Sequence, residues 1–328
     1  MSLSSQQRHE IGLIGAGEVV SRFYLPVLQS RSDIRIRAVC SGDGRRAAEI
    51  ARLLGTTVVA DYRSLLDDDA IESVFVCTPP HLHFEIASHA FDRGKNVLIE
   101  KPPCRNYDEL LSLQAIAAQR GCVFDVTFNN AAREDNTWLA EAVLQGRIGT
   151  IELIDLEWLR AKPRPDKAWA KNPQTAGGGG VLADLGSHLL RIGVSLVPQA
   201  QRCVAYCRTT RHASSQVPIE DIACASIVID DAVQVVLKTG WGMPMTMPVR
   251  VSIVAYGTTG TLSSRDYPGS SSDGYSNVLD RFMTAARHRR QSDLTPVNKA
   301  MQLMHALYES SRRRAPVAVD LAEASQQR

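Results

Sequence analysis

The chain has 328 residues, of which 44% are hydrophobic and 22% are charged, so it can bury a globular core and is long enough for two domains. Its 37 lysines and arginines nearly balance 35 acidic residues, and the formal net charge is +2. Such a balance provides no broad positive field, so we expect neither nucleic-acid binding nor association with an anionic membrane.

Residues 1–10 lack the apolar core of a signal peptide, and no later segment approaches the ~20 apolar residues that span a bilayer. We therefore expect a cytoplasmic protein. The seven cysteines are odd in number and lie mostly in apolar runs, which favours reduced, buried thiols. No pair of them has metal-ligand spacing, so we expect no metal site.

The first part of the chain alternates short apolar runs with longer amphipathic segments, which is typical of a parallel sheet wound with helices. The predicted strands are 11–14, 34–39, 74–77, 96–99 and 122–126. We predict an α/β doubly wound domain over residues 1–127.

A glycine turn follows the first predicted strand. Gly15 and Gly17 precede a helix that should start near Glu18 and Val19, so backbone amides and the helix N-terminus could face a pyrophosphate. The third position of this nucleotide-binding pattern is Val20 rather than Gly or Ala. Glycine turns also join strands to helices where no nucleotide binds, so this turn alone is a weak indicator.

No acidic residue directly follows the second predicted strand. Ser41 with Arg45 or Arg46 could hold the 2′-phosphate of NADP, which slightly favours NADP over NAD. In the alternative interpretation, Asp43 reaches the ribose of NAD and both arginines are solvated residues on the next helix.

The second part of the chain carries further strand candidates at 151–159, 202–209, 222–229, 232–238 and 249–255. Asp230 and Asp231 should form a tight hairpin turn between two of them. Residues 263–277 are rich in Ser, Gly and Asp and are predicted to form a loop. We predict a second α+β domain over residues 128–328.

Asp184 and His188 follow a glycine run at 177–180 that we expect to be flexible. If residues 182–194 are helical, the i, i+4 spacing places both side chains on one face, where they can address one substrate. Taken singly, the aspartate could instead be a helix cap and the histidine a core residue.

Several motifs occur in a fixed order along the chain: VFVCTPPHLH at 74–83, GKNV at 94–97, EKP at 100–102, GRIG at 146–149, the glycine-to-histidine segment at 178–188, YGTTG at 256–260 and ALYES at 306–310. This combination resembles the Gfo/Idh/MocA family of oxidoreductases. The resemblance implies an N-terminal Rossmann domain and a C-terminal domain with a large, mostly antiparallel sheet. It also implies an NAD(P)-dependent dehydrogenase or reductase acting on a sugar, a cyclic polyol or a derivative.

The resemblance implies that Lys101, Asp184 and His188 surround the carbon that exchanges a hydride with the nicotinamide. Either His188 or Lys101 would be the base. Asp184 would orient the substrate or hold His188 in one tautomer.

Further contacts follow from the same resemblance. The implied cofactor contacts are Gly15, Gly17, Glu18, Val19, Ser41, Arg45, Arg46, Thr78, Pro79, His83, Glu100, Lys101 and Asn129. Arg191 stands where the family pattern usually has an acid, which would favour an acidic or phosphorylated substrate; alternatively, the arginine points to solvent. Trp169 could line the entrance to the substrate site.

Relatives often use one face of the second sheet as a subunit contact, so we expect a homodimer or homotetramer. Two other functions remain open. The chain could be a non-catalytic, NAD(P)-sensing regulatory protein, or a reductase of a non-sugar substrate such as an imine, a dihydrodiol or a tetrapyrrole.

Overall fold

The computed structural model describes residues 8–164, 166–172, 174–176, 179–246 and 248–322. Gly177 and Gly178 of the predicted glycine run lie outside these ranges. The described chain forms two compact units, one of residues 8–104, 108–127 and 275–292, and one of residues 105–107, 128–274 and 293–322. Residues 275–292, which we expected in the second domain, thus belong to the first unit.

The sheet of the first unit has six parallel strands. They are β1 (His9–Ile14), β2 (Ile34–Cys40), β3 (Thr57–Val59), β4 (Ser73–Val76), β5 (Asn96–Glu100) and β6 (Phe124–Thr127). Their order is β3-β2-β1-β4-β5-β6, so the chain reverses direction across the sheet between β1 and β4. This confirms the doubly wound domain and adds β3, which the sequence did not predict.

Helices alternate with strands in the first unit, and the longest helix among the described residues lies in the second. They are α1 (Leu25–Ser30), α2 (Gly44–Leu54), α3 (Tyr62–Leu66), α4 (His83–Asp92), α5 (Tyr107–Arg120), α6 (Glu134–Leu144), α7 (Ser187–Leu196), α8 (Tyr275–His288) and α9 (Thr295–Arg313). A π-helical turn, Val20–Tyr24, runs directly into α1, and another, Leu182–Gly186, runs into α7. Within the described residues, none of these helices combines the length and the apolar character needed to cross a bilayer.

Helix α8 packs in the first unit, although it follows the second sheet in sequence. Arg281 donates to both carboxylate oxygens of the buried Asp125 at 2.8 and 3.1 Å, and the Tyr275 ring lies 5.0 Å from that of Tyr24. A buried carboxylate needs such a partner, which explains why this helix is held here. The predicted loop at 263–277 is therefore too long, because α8 begins at Tyr275.

The sheet of the second unit has seven strands. They are β7 (Ile151–Arg160), β8 (Arg202–Thr210), β9 (Ile222–Ile229), β10 (Val233–Gly240), β11 (Val249–Gly257), β12 (Gly260–Ser263) and β13 (Val317–Asp320). Their order is β12-β11-β7-β10-β9-β8-β13, and every neighbouring pair is antiparallel except β10 with β7. The predicted mostly antiparallel sheet is confirmed.

The two faces of this second sheet differ in burial. Along β8, Cys203, Ala205 and Cys207 are buried and face the helices, whereas Val204 and Tyr206 alternate with them and are exposed. Asp230 and Asp231 have φ values of 50° and 56°, which confirms a tight turn of type I′ between β9 and β10. All seven cysteines are free thiols.

Candidate active site

The glycine turn after β1 has room for a cofactor pyrophosphate. Gly15 has φ of 103°, and a Cβ there would lie 2.5 Å from the carbonyl oxygen of Cys77, so only glycine fits. A Cβ on Gly17 would meet nothing within 4 Å, so open space lies beside the turn. The helix starts at once, with Ser21 N donating to Gly17 O at 3.1 Å. Open space at a helix N-terminus fits a phosphate group.

Val20 replaces the small third residue of the nucleotide-binding pattern. Its side chain is fully buried and begins the π-helical turn. The valine therefore lies against the protein core and leaves the space beside Gly17 open. Glu18 and Val19 lie between the glycine turn and this wider turn, where the first helical amides are located.

The end of β2 is organised by Asp43. Its carboxylate accepts a hydrogen bond from Arg46 N at 3.2 Å, caps α2 and lies 3.4 Å from the Arg46 guanidinium. Ser41 Oγ accepts from Asp43 N at 3.4 Å. Arg45 is exposed and has no ion-pair partner among the described residues. Asp43 is thus engaged locally, while Arg45 extends into solvent.

His83 ties together the segments that follow β4 and β5. Its Nε2 lies 2.8 Å from Thr78 O and its Nδ1 lies 3.0 Å from Pro102 O. Burial lowers the pKa of His83 to about 4, and the side chain is fully enclosed. His83 therefore holds the two segments in place, and its contact with a cofactor stays a prediction. Thr78 and Pro79 are part-exposed.

Glu100 ends β5 directly before Lys101. Its Oε2 accepts a hydrogen bond from Lys101 N at 3.2 Å, and its Oε1 has no donor within the described part of the chain. Burial raises the pKa of Glu100 to about 7. Lys101 is part-exposed and its bond to Pro102 is cis. Glu100 therefore helps to fix the backbone at the predicted catalytic lysine.

In the second unit, the predicted helix at 182–194 is present and ends at Leu196. Asp184 lies in the π-helical turn and His188 in the first turn of α7. The carboxylate of Asp184 accepts from Arg160 Nη2 at 3.4 Å, and the Arg160 guanidinium lies 5.5 Å from the centre of the Trp241 ring. Neither Arg160 nor Trp241 was predicted.

His188 lies between two aromatic rings. The centre of the Trp158 ring is 5.6 Å away and that of Phe128 is 5.9 Å away, the latter edge-on. Trp158 and Arg160 are two residues apart on β7, so they share the sheet face that looks toward α7. Arg160 comes two residues after Trp158 at the end of a predicted strand, and this spacing is the sequence feature that could have placed Arg160 on the same face as Trp158.

The glycine run is held by a buried carboxylate. Glu220 Oε1 accepts from Gly180 N at 2.8 Å, from Leu182 N at 3.0 Å and from the Tyr308 hydroxyl at 2.8 Å. The Tyr308 oxygen in turn accepts from Ala183 N at 3.0 Å. These bonds fix the turn immediately before Asp184.

Close packing explains the described glycines. A Cβ at Gly180 would lie 2.2 Å from Glu220 O, and one at Gly179 would overlap the Tyr308 ring. The expectation of a flexible run is therefore wrong for these two residues, which are glycine because the backbone approaches its neighbours closely.

The remaining predicted residues form contacts within the second unit. Asn129 Nδ2 donates to Asp273 O at 2.8 Å, and Arg191 Nη1 donates to Ser195 Oγ at 2.6 Å in the same helix. Trp169 is half-buried in the turn Ala168–Lys171. Of the arginines considered, Arg160 contacts Asp184, and Arg191 bonds within α7.

Comparison with known proteins identifies the family. Residues 9–128 match the NAD-binding Rossmann-fold domain of the oxidoreductase family GFO/IDH/MocA, and residues 137–263 match the C-terminal domain of the same family. The two matches together cover about three quarters of the chain. The chain belongs to the GFO/IDH/MocA family.

Relatives of known name are oxidoreductases. The chain is 30% identical over 184 residues to dTDP-3,4-didehydro-2,6-dideoxy-alpha-D-glucose 3-reductase of Streptomyces antibioticus. The aligned region covers 56% of this chain and 55% of that protein. It is 28% identical over 182 residues to scyllo-inositol 2-dehydrogenase (NADP(+)) IolW of Bacillus subtilis strain 168, covering 55% and 49%. The chain spans about half the length of these curated relatives.

Solved structures share the fold. The crystal structure of GenD2 from gentamicin A biosynthesis, in complex with NAD, superposes with a TM-score of 0.87 at 22% identity. The superposition covers 96% of this chain and 97% of that chain. Both units of this protein thus have a counterpart in one nucleotide-bound relative.

Proposed function

We propose that this protein is an NAD(P)-dependent oxidoreductase that interconverts a hydroxyl and a ketone on a sugar, a cyclic polyol or a derivative. The observation that carries the proposal is the pair of Asp184 and His188, which are held at the start of α7 beside Arg160 and Trp158. The reductase and dehydrogenase names of the relatives support the substrate class.

The residues of the first unit fit the cofactor. Gly15 and Gly17 leave open space for the pyrophosphate, and Thr78 and Pro79 follow the neighbouring strand β4 at the same edge of the sheet. When bound, the nicotinamide would accept or supply the hydride. The protein's own contribution is to bind, orient and exchange a proton.

A positioned base would take the proton of the substrate hydroxyl. His188 or Lys101 fills this role, and such a base contributes about 10²–10⁴-fold to the rate. The Asp184 carboxylate accepts a hydrogen bond from Arg160 and would act as an acceptor for a substrate hydroxyl or for His188. Lys101 can also donate a hydrogen bond to the developing oxygen charge.

Two variants separate the candidate bases. His188→Asn and Lys101→Met would be compared in pH-rate profiles with inositols, glucosides and nucleotide-activated deoxysugars as substrates. Loss of the ionisation that governs the rate in one variant identifies the base. Full activity in both variants would contradict the whole assignment. Tight cofactor binding without turnover of these substrates would favour an imine, a dihydrodiol or a tetrapyrrole as substrate.

NADP is the proposed cofactor, in preference to NAD. Asp43 is engaged as a helix cap, and the exposed Arg45 beside Ser41 can pair with a 2′-phosphate. Titration with NADPH and NADH, followed by nicotinamide fluorescence, tests this choice. Tighter binding of NADH would contradict it, and binding of neither would contradict the enzymatic proposal.

We also propose that the open face of the second sheet forms a homo-oligomer. Val204, Val228, Gln234, Leu153 and Tyr256 lie side by side across five strands, and Val204 and Tyr256 are exposed. A second copy would cover this row. Val204→Lys should yield monomers in light scattering, whereas a monomeric wild type would contradict the proposal.

The free thiols support a cytoplasmic location.

A further inference from the structure

A basic cavity lies within the second unit, between the end of β8, the C-terminal half of α9 and residues 105–107. Its volume is about 620 Å³, within the range of small-molecule sites. Its positively charged or titratable lining consists of Arg105, Arg208, Arg312, Arg314 and His305. None of the described lining residues is acidic.

The described carboxylates neutralise only part of the charge at Arg208, Arg312 and Arg314. Glu309 pairs with Arg312 and also with Arg313, so one carboxylate serves two arginines. Among the described residues, no carboxylate lies within ion-pairing distance of Arg208 or Arg314. Clustered like charges repel, so an anion in the cavity would relieve this repulsion.

The end of a helix explains only part of this cluster. Cations at the C-terminus of α9 interact favourably with the helix dipole, which accounts for Arg312 and Arg314. Arg208 comes from β8 and Arg105 from a separate segment, and the dipole does not account for them. Three separate segments thus contribute arginines to the lining of one cavity. Guanidinium groups bind phosphate oxygens in pairs, so such a lining suits an anion.

The cavity has room for a ligand larger than an inorganic ion, and the rest of its lining is apolar or aromatic in part. Met301 and Met304 are buried and form an apolar floor, and Tyr107 and Tyr308 add aromatic surface. Apolar and aromatic walls with a few charged groups are typical of sites for ring-bearing ligands. We propose that this cavity binds a phosphorylated small molecule, with the arginines holding the phosphate and the methionines and tyrosines contacting the body.

The cavity shares one side chain with the candidate active site. Tyr308 lines the cavity, and its hydroxyl bonds to Glu220 and to Ala183 N, which lies directly before Asp184. A ligand in the cavity therefore contacts the residue that fixes the turn at Asp184. Binding itself does not depend on the proposed function.

Calorimetric titration with inorganic pyrophosphate tests the proposal on the full chain. NADPH or NADH, whichever binds, is present at saturation so that the glycine turn cannot take up the probe. Pyrophosphate should bind the wild type, more weakly as NaCl rises. Arg208→Gln, which removes an exposed side chain, should weaken binding about tenfold or more. The control Arg202→Gln changes an exposed arginine on the same strand, outside the cavity, and should leave binding unchanged.

Two results would overturn the proposal. One is the absence of pyrophosphate binding by the wild type at millimolar concentration. The other is equal affinity in the wild type, Arg208→Gln and Arg208→Gln/Arg312→Gln. If neither nicotinamide cofactor binds, the proposed function fails, but the ratio of affinities between wild type, Arg208→Gln and the Arg202→Gln control still decides the cavity.

Discussion

We expect the ionisation of Glu100 to make the first unit less stable as the pH rises. Burial raises its pKa to about 7, against an ordinary value of 4.5. Between these values the folded state binds more protons than the unfolded state, so stability falls as the pH increases from 4.5 to about 7 and is constant above. At about 1.4 kcal/mol per pKa unit, the loss is roughly 3 kcal/mol.

Glu100→Gln removes this ionisation and keeps an oxygen that can accept from Lys101 N. The difference in stability between variant and wild type should therefore be small at pH 4 to 5, grow in favour of the variant up to pH 7, and then stay constant. Glu49→Gln, an exposed glutamate on α2, is the control and should show no such trend.

The assay must report on the first unit. All four tryptophans lie in the second unit, so their fluorescence would not follow this transition. Amide hydrogen exchange of peptides from β4 and β5, measured from pH 5 to 9 and corrected for intrinsic exchange, gives the local opening free energy. Parallel pH profiles for Glu100→Gln and wild type would refute the reasoning.

Three further predictions concern single side chains. Tyr308→Phe removes a bond to a carboxylate and leaves one buried amide without its acceptor, so it should cost about 3 kcal/mol in urea unfolding followed by tryptophan fluorescence. Tyr206→Phe, on the exposed sheet face, should cost nothing measurable, and equal losses in the two variants would contradict this role. Arg45→Ala should weaken NADPH binding about tenfold and leave NADH binding unchanged, since it removes one charge-assisted bond to phosphate. The control is Arg52→Ala at the other end of α2. Equal loss of affinity for both cofactors in Arg45→Ala would argue against NADP recognition. Arg160→Met should lower kcat about tenfold or more with a circular dichroism spectrum like that of wild type, because Asp184, the proposed catalytic aspartate, loses its ion pair with Arg160. Unchanged kcat would exclude a positioning role for Arg160.

The central strands could be predicted from the sequence, because a strand that is buried on both faces consists mainly of apolar residues. Residues 11–14 of β1 and 74–76 of β4 are apolar runs that are buried on both faces, as a parallel sheet requires. The three strands that were missed, β3, β12 and β13, lie at sheet edges and have three or four residues each. Their residues are partly exposed, so pairing with a neighbour decides their conformation.

The local part of the candidate site was also visible in the sequence. Asp184 and His188 are one helical turn apart, and that spacing depends only on the helix itself. Arg160, Glu220 and Tyr308 reach the same place from 24 to 125 residues away in the chain. Such partners depend on the register of β7 and the packing of α9, which no local pattern encodes.

Two buried glutamates, one in each unit, show how one residue type can serve two purposes. Glu220 accepts three hydrogen bonds at one oxygen, so the charge that burial disfavours is stabilised by donors that also fix the turn before Asp184. Glu100 accepts one backbone hydrogen bond, from Lys101 N, and its Oε1 has no donor among the residues that the structure describes. Burial raises the pKa of both carboxyl groups, and at Glu220 the hydrogen bonds from Tyr308, Gly180 N and Leu182 N oppose that rise. We therefore expect Glu100→Gln to change the pH dependence of stability in the first unit, while the donors around Glu220 hold the turn before Asp184.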